Sequence, residues 1–256
     1  MRLKGFDIIG HRGAMSVAPE NTLESFAKAI EMGVTMVELD VWLLSDGRFI
    51  VMHDENLDRT TNAAGSVLLR TSSELRRLDA GSWFSPAYAG ARIPLLDEVL
   101  EVCRGKVRLL VEMKAHFAAD YRPERQLVDC LRRHDVLQDC QLISFDHSMP
   151  LRVKEIDPAI DTGINYSSAP VDPLVDAVLA RADYIHPSMS GSVSEALVER
   201  AHRRGIGVSA TTNDPVEMLR LLRAGVDGIC TNYIDRLTAA VAQAGGPRLR
   251  SASAAA

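Results

Sequence analysis

No run of about eighteen apolar residues occurs anywhere in the chain, so no membrane-spanning helix and no stable membrane insertion are expected. The opening residues, MRLKGFDIIGHRG, contain neither an apolar signal core nor a small-residue cleavage site, which predicts a cytoplasmic protein. Cysteine is sparse: Cys103, Cys130, Cys140 and Cys230 stand far apart with no C-x-x-C pair. They are expected to be free, buried thiols, and their spacing is a poor zinc signature. No G-x-G-x-x-G or Walker pattern follows any strand, which removes the main support for an open doubly wound sheet. Excess positive charge is also missing. A formal net charge of −5 argues against a general nucleic-acid partner, though not against a local cationic pocket.

What the 256 residues do contain is a regular alternation of elements. Apolar, β-rich stretches at 6–10, 36–42, 107–113, 141–145, 160–165, 183–186, 206–211 and 227–231 are separated by segments of helical period. Leu23, Phe26, Ala27 and Ile30 mark one such helix, with Asn21 as its expected cap and Glu24 reaching back; Leu96, Val99, Leu100 and Cys103 mark another. Strand–helix alternation implies a parallel sheet, and eight strands with eight helices predict an α/β fold, the TIM (β/α)8 barrel. A ninth strand, 49–53, returns through Ser45-Asp46-Gly47 and must run antiparallel. The 42–53 hairpin and a turn-rich insertion at about 54–95, holding Trp83, Phe84 and Tyr88, are expected above the barrel mouth as a packed cap. Residues 1–245 are read as one catalytic domain and 246–256 as a frayed tail.

Catalytic groups in such a barrel sit at the C-terminal ends of strands. That rule collects His11 and Arg12 after the first strand, Glu38 and Asp40 on one face of the second, and Glu112 and Lys114 on the third. His53 descends from the hairpin toward the same mouth. Converging carboxylates inside a barrel repel unless something cationic joins them, and a hard divalent cation bound by Glu38, Asp40 and Glu112 is the favoured solution; pairing with Arg12 or Lys114 is the plainer one. Arg12 and Lys114 suit an anionic substrate, most simply a phosphate. Phosphodiester cleavage needs a base and an acid, which His11 and His53 can supply. His134 and His202 fall on helical stretches and read as structural; His147 is given no role, while His116 and His186 stand at strand ends within reach of a substrate.

The runs GHRG, APENT, VELDV and VMHD, then RIPLLDEVL, VEMK, SF and GVDGICTN, resemble the glycerophosphodiester phosphodiesterase family from residue 8 to about 236. The resemblance implies a TIM barrel that hydrolyses glycerophosphodiesters to glycerol 3-phosphate and an alcohol with Mg²⁺ or Ca²⁺. It implies metal ligation by Glu38, Asp40 and Glu112, acid–base catalysis by His11 and His53, and phosphate binding by Arg12 and Lys114. It also implies that Glu20 faces the site. Relatives usually carry Trp-Thr-Val-Asn on the seventh strand and Thr-Asp-x-Pro on the eighth; here the runs are Ala210-Thr211-Thr212-Asn213 and Thr231-Asn232-Tyr233-Ile234. Losing that tryptophan widens the pocket, unless Trp42 or Trp83 fills it from above; Phe145 is expected to remain a wall. The implied partner is a small-molecule phosphodiester. The same chemistry on a lysophospholipid or sugar phosphodiester, or a barrel that binds a phosphorylated ligand without turnover, are the alternatives.

Overall fold

The computed structural model describes residues 5–116, 121–168 and 170–251. Eight parallel strands alternate with helices: β1 (Asp7–Gly10), β2 (Met36–Leu43), β4 (Arg108–Met113), β5 (Cys140–Ser144), β6 (Asp161–Tyr166), β7 (Tyr184–Pro187), β8 (Gly207–Thr211) and β9 (Gly228–Thr231). β1 pairs with β2 on one side and with β9 on the other, so the sheet closes into the expected barrel. Among the described residues, only β3 (Phe49–Val51) is antiparallel; it pairs with the outer half of β2. Eight helices wrap the sheet: α1 (Leu23–Glu31), α3 (Leu96–Cys103), α4 (Glu124–Arg133), α5 (Ser148–Ile156), α6 (Pro173–Leu179), α7 (Glu195–Arg203), α8 (Pro215–Ala224) and α9 (Ile234–Gln243). No described helix is long and apolar enough to cross a membrane.

Strand alternation divides the buried residues in two. Val37, Leu39 and Val41 of β2, like Leu109, Val111 and Met113 of β4, face the helices and join the main core. The opposite faces point into the barrel, where Ile9, Met36, Leu110, Ile143 and Cys230 form an apolar floor. Two residues further along, the inward positions of three of these strands become His11, Glu38 and Glu112, so polarity changes from floor to mouth within one pleat repeat, while Ile143 is followed by Phe145.

The 54–95 insertion has a core of its own. Trp42, Ile50 and Met52 from the hairpin pack with Leu57, Val67, Leu75, Ala80, Ile93 and Leu95. Its one α-helix, α2 (Ser72–Leu75), opens with a capping box between Thr71 and Glu74. Trp83, Phe84 and Tyr88 stack edge to face at 5.7 Å, and the Tyr88 hydroxyl donates to the Val17 carbonyl at 2.9 Å. This is the packed cap expected from the sequence.

Three local readings change. Thr22, not Asn21, caps α1 by accepting from the Ser25 amide at 3.3 Å. The inward face of α1 is correspondingly Ser25, Phe26 and Ala29, while Ala27 faces solvent. At the other end of the chain, residues expected to fray are tied down: Leu249 bridges to Phe6, and the Arg250 amide donates to the Phe6 carbonyl at 3.1 Å. The rest of the expected tail, 252–256, lies outside the described residues.

Candidate active site

The turn after β1 sets the site's geometry. Arg12 has φ 52°, a left-handed conformation rare for a side chain of its size. It turns the Arg12 amide toward Glu38, whose Oε2 accepts at 2.8 Å. Gly13 follows at φ 84°, and a Cβ there would meet Ser25 Oγ at 2.4 Å, so only glycine fits between this turn and α1. Asn21 is also left-handed, at φ 56°, and donates from Nδ2 to Asp40 Oδ2 at 2.8 Å. The residue read as a helix cap is thus a partner of the acidic cluster.

Glu38, Asp40 and Glu112 converge with ligand oxygens all within 4.8 Å of one another. All three are buried, the most exposed being Glu112 at 8%. The Lys114 ammonium lies 2.7 Å from Asp40 Oδ1 and also contacts Glu112 Oε1. Arg12 Nε approaches Asp40 Oδ2 at 3.6 Å. Asn165 Nδ2 donates to Glu112 Oε2 at 3.1 Å.

Three carboxylates face two cations, and the titration directions reflect the shortfall. Burial drives Glu38 well above the usual carboxylate range, and Asp40 and Glu112 add to it. Burial also raises Glu112, against the pull of Lys114. For Asp40, burial is outweighed by Lys114, His53 and Arg12, which hold it below the usual range. Lys114 is raised because Asp40 and Glu112 outweigh its own burial. A cluster that carries one more carboxylate than cation, with oxygen donors only, fits a hard divalent cation: bonds of about 2.1 Å put the ligands of an octahedral ion roughly 3–4 Å apart.

The two histidines line one cavity of about 250 Å³ together with Arg12, Glu38 and Glu112. Leu110, Ile143 and Cys230 form its floor, and Phe145, Asn165, His186, Ser188, Ala210 and Thr211 its far wall. His11 Nδ1 is 2.7 Å from Asn232 Oδ1, leaving Nε2 toward Glu38 at 3.9 Å. Burial first, and then the neighbouring Arg12 charge, lower the His11 pKa to about 4. His53 Nδ1 is 2.6 Å from Asp54 Oδ1. Asp54 accepts from Arg59 Nε at 2.6 Å, and Arg59 forks onto both Glu20 oxygens at 2.7 Å. Glu20 in turn accepts from Arg12 Nη1 at 2.7 Å. An unbroken chain of ionic hydrogen bonds therefore runs from His53 round to Arg12.

The structure sorts the remaining candidates. Phe145, His186 and Ala210 line the cavity wall. Glu20 does not line it; both its oxygens are taken by Arg12 and Arg59, so its part is to hold Arg12. Lys114 stands among the carboxylates, beneath the cavity surface. Neither Trp42 nor Trp83 reaches the place opened by Ala210: Trp42 belongs to the insertion core, and the Trp83 indole donates to the Ala80 carbonyl at 2.8 Å. His147 Nε2 meets the Asn165 carbonyl at 2.9 Å, and His202 Nε2 meets Asp227 Oδ2 at 2.9 Å, both away from the cavity. His116 packs edge-on against Tyr121 at 5.8 Å. The sequence does not mark Asp54, Arg59 or Asn165 as site residues, and it marks Asn232 only as a departure from the family's run. Asp54 directly follows His53, which was a usable signal; Arg59 had none.

Comparison with known proteins places this architecture. Residues 11–236 match the model of the glycerophosphoryl diester phosphodiesterase family. A glycerophosphodiester phosphodiesterase from Caldanaerobacter subterraneus is 36% identical over 240 residues, covering 93% of this chain and 98% of the relative. One from Bacillus subtilis is 32% identical, covering 89% of this chain and 83% of the relative. Among solved structures, an Oleispira antarctica phosphodiesterase in complex with the product sn-glycerol-3-phosphate superposes with a TM-score of 0.85 at 30% identity, covering 92% of this chain and 96% of that one. A glycerophosphodiester phosphodiesterase from Agrobacterium tumefaciens superposes with a TM-score of 0.81 at 30% identity, covering 91% and 99%. The chain belongs to the glycerophosphoryl diester phosphodiesterase family and is an enzyme of that class.

Proposed function

We propose that the enzyme hydrolyses glycerophosphodiesters to glycerol 3-phosphate and an alcohol, with His11 and His53 as its acid–base pair. The observation that carries this reading is the convergence of both imidazoles on one small cavity directly above the acidic cluster. The product held by the Oleispira antarctica relative supports the same substrate class. Glu38, Asp40 and Glu112 would hold the divalent metal, Mg²⁺ or Ca²⁺. Bound there, it would supply Lewis-acid polarisation of a phosphoryl oxygen.

His11 is the better base, because burial keeps its imidazole neutral at pH 7. With Nδ1–H donating to Asn232, its Nε2 lone pair is free to take a proton from the attacking hydroxyl. His53, held at Nδ1 by Asp54, presents Nε2 to the departing alkoxide and protonates it as the phosphorus–oxygen bond breaks. Arg12, and Lys114 from below, offset the charge that builds on the phosphoryl oxygens. If the glycerol 2-hydroxyl attacks, a cyclic phosphate forms and water opens it with the histidine roles reversed; if water attacks, glycerol 3-phosphate forms directly. Four buried thiols support a reducing compartment such as the cytosol.

The test is glycerol 3-phosphate release by metal-stripped protein resupplied with Mg²⁺ or Ca²⁺, across a diester panel. Release that falls at least about 100-fold in His11→Ala and in His53→Ala is expected. Binding of diesters with no turnover under any metal would leave only the binding-barrel reading. A second reading rests on the wall at Ala210, where no large side chain stands and Phe145 is 47% exposed. It admits a bulkier alcohol, and preference for a lysophospholipid or sugar phosphodiester in the same panel would favour it.

A further inference from the structure

On the outer face of the barrel, α3 and α4 bring together two helical i, i+4 pairs: Asp97 with Glu101, and Cys130 with His134. We propose that Asp97, Cys130 and His134 form a second metal site, selective for zinc, that clips these helices together. Their ligand atoms all lie within 4.8 Å of one another. A tetrahedral zinc ion with bonds of about 2.0–2.3 Å needs ligands roughly 3.3–3.8 Å apart, and the partly exposed Asp97 is the member with room to move.

His134 carries the argument. Its Nε2 is 3.0 Å from Asp97 Oδ1 and its Nδ1 is 3.1 Å from Glu101 Oε1. Both ring nitrogens therefore face carboxylates, and a neutral imidazole has one proton with which to satisfy two acceptors. Two arrangements satisfy this geometry: a plain ion pair, or a metal at Nε2 with Nδ1–H donating to Glu101. The second is the carboxylate–histidine–metal arrangement that fixes the tautomer of a ligating imidazole. Arg48 approaches the other Asp97 oxygen, Oδ2, at 3.6 Å, which leaves Oδ1 for the metal.

Cys130 decides which metal. It is 3% exposed, and its sulfur faces the ligand atoms of Asp97 and His134. A zinc ion deprotonates a coordinating thiol. Soft thiolate selects zinc over Mg²⁺ and Ca²⁺, whereas the all-oxygen cluster at the barrel mouth offers no such discrimination and suits hard cations. An adjoining groove of about 610 Å³, lined by Arg48, Phe49, Gln126 and Arg133 among others, gives an ion access and a fourth position for water. The cysteine spacing gave no sign of this site, because its other ligands are a carboxylate and an imidazole.

Cobalt(II) is the probe, titrated into the metal-stripped full chain. A near-ultraviolet thiolate-to-cobalt band that saturates at one equivalent and is displaced by Zn²⁺ is expected. It should persist in Glu112→Gln, which alters the barrel mouth, and vanish in Cys130→Ser. With the mouth cluster disabled by Glu112→Gln, Zn²⁺ at a hundred-fold excess over its dissociation constant should raise Tm by about 5–10 °C, and adding Cys130→Ser should abolish that rise. His134→Gln keeps the thiol and should lose both signals, so the outcome does not depend on one variant folding. A missing thiolate band, or one that survives Cys130→Ser, overturns the proposal and leaves the ion pair.

Discussion

Asn232 holds the proposed base by an amide, where a carboxylate would act differently. Its Oδ1 accepts from His11 Nδ1 at 2.7 Å without adding charge, and the buried imidazole stays neutral, with its pKa near 4. Asn232→Asp places a full negative charge at that position, which favours the imidazolium. A base must be neutral to work, so the acid limb of the kcat/KM profile should move up by about one pH unit or more, and activity at pH 6 should fall more than at pH 8. A profile that keeps its acid limb would remove His11 as the base. His186 makes a separate statement about stability. It is buried beneath Gly163, where a Cβ would meet its Cδ2 at 2.7 Å, and burial lowers its pKa to about 3. The folded pKa lies below the unfolded value of 6.5, so above pH 6.5 the group is neutral in both states and its effect is constant. As pH falls from 6.5 toward 3, the unfolded chain takes up a proton that the folded chain refuses, and stability drops. The slope approaches about 1.4 kcal/mol per pH unit, or roughly 2 kcal/mol between pH 6.5 and 5. Urea unfolding of wild type and His186→Asn at pH 7 and pH 5 should show the smaller pH loss in the variant.

The insertion acts at the scale of an element, because it delivers Arg59 to the barrel mouth. Arg59 is the only described link between Asp54, which holds His53, and Glu20, which holds Arg12. Its own side chain is 45% exposed, so its charge is partly screened, but Glu20 beneath it is 3% exposed and cannot turn to solvent. Arg59→Ala should cost about 1–3 kcal/mol of stability, from Glu20 left half paired, and lower kcat about 10- to 100-fold by loosening His53 and Arg12 together. A double-mutant cycle with Glu20→Gln checks this: the two losses should be strongly non-additive, and simple additivity would break the proposed chain. Arg59 also marks how far the sequence could be read. The strands were legible because inward and outward residues alternate over short runs, and that alternation put Glu38, Asp40 and Glu112 on one interior face. Arg59 lies in a stretch of turns without periodicity, and its partner Glu20 is 39 residues away. Asn21 reads as a cap because Asn-Thr-Leu-Glu matches a capping box, whereas the chain caps one residue later with Thr22 and turns Asn21 inward.

At the scale of the whole molecule, the barrel has a working end and a closing end, and the last described residues belong to the second. Asp7 opens β1 at the end away from the mouth, with its side chain 6% exposed. Arg108, which opens β4, donates to it at 2.8 Å, and Arg250 approaches from the tail at 3.4 Å. Arg250 also donates to the Tyr184 hydroxyl at 2.8 Å and from Nε to the Gly5 carbonyl at 3.0 Å. Two ends of the chain 245 residues apart are thereby joined across the barrel floor. Nothing local in GGPRLRS announces such a partner, which is why the segment reads as frayed. Residues at this face of a TIM barrel serve stability and not chemistry. A chain ending at Pro247 should therefore lose about 2–4 kcal/mol, seen as a Tm lower by roughly 5–15 °C, while kcat on a glycerophosphodiester stays within about twofold. Arg250→Ala, which keeps the Leu249–Phe6 bridge, should lose less, because only the side-chain bonds are gone. An unchanged Tm in the truncated chain would mean that the barrel closes without its tail. A fall in kcat matching the fall in stability would mean that the two ends of the barrel are coupled and do not divide stability from chemistry.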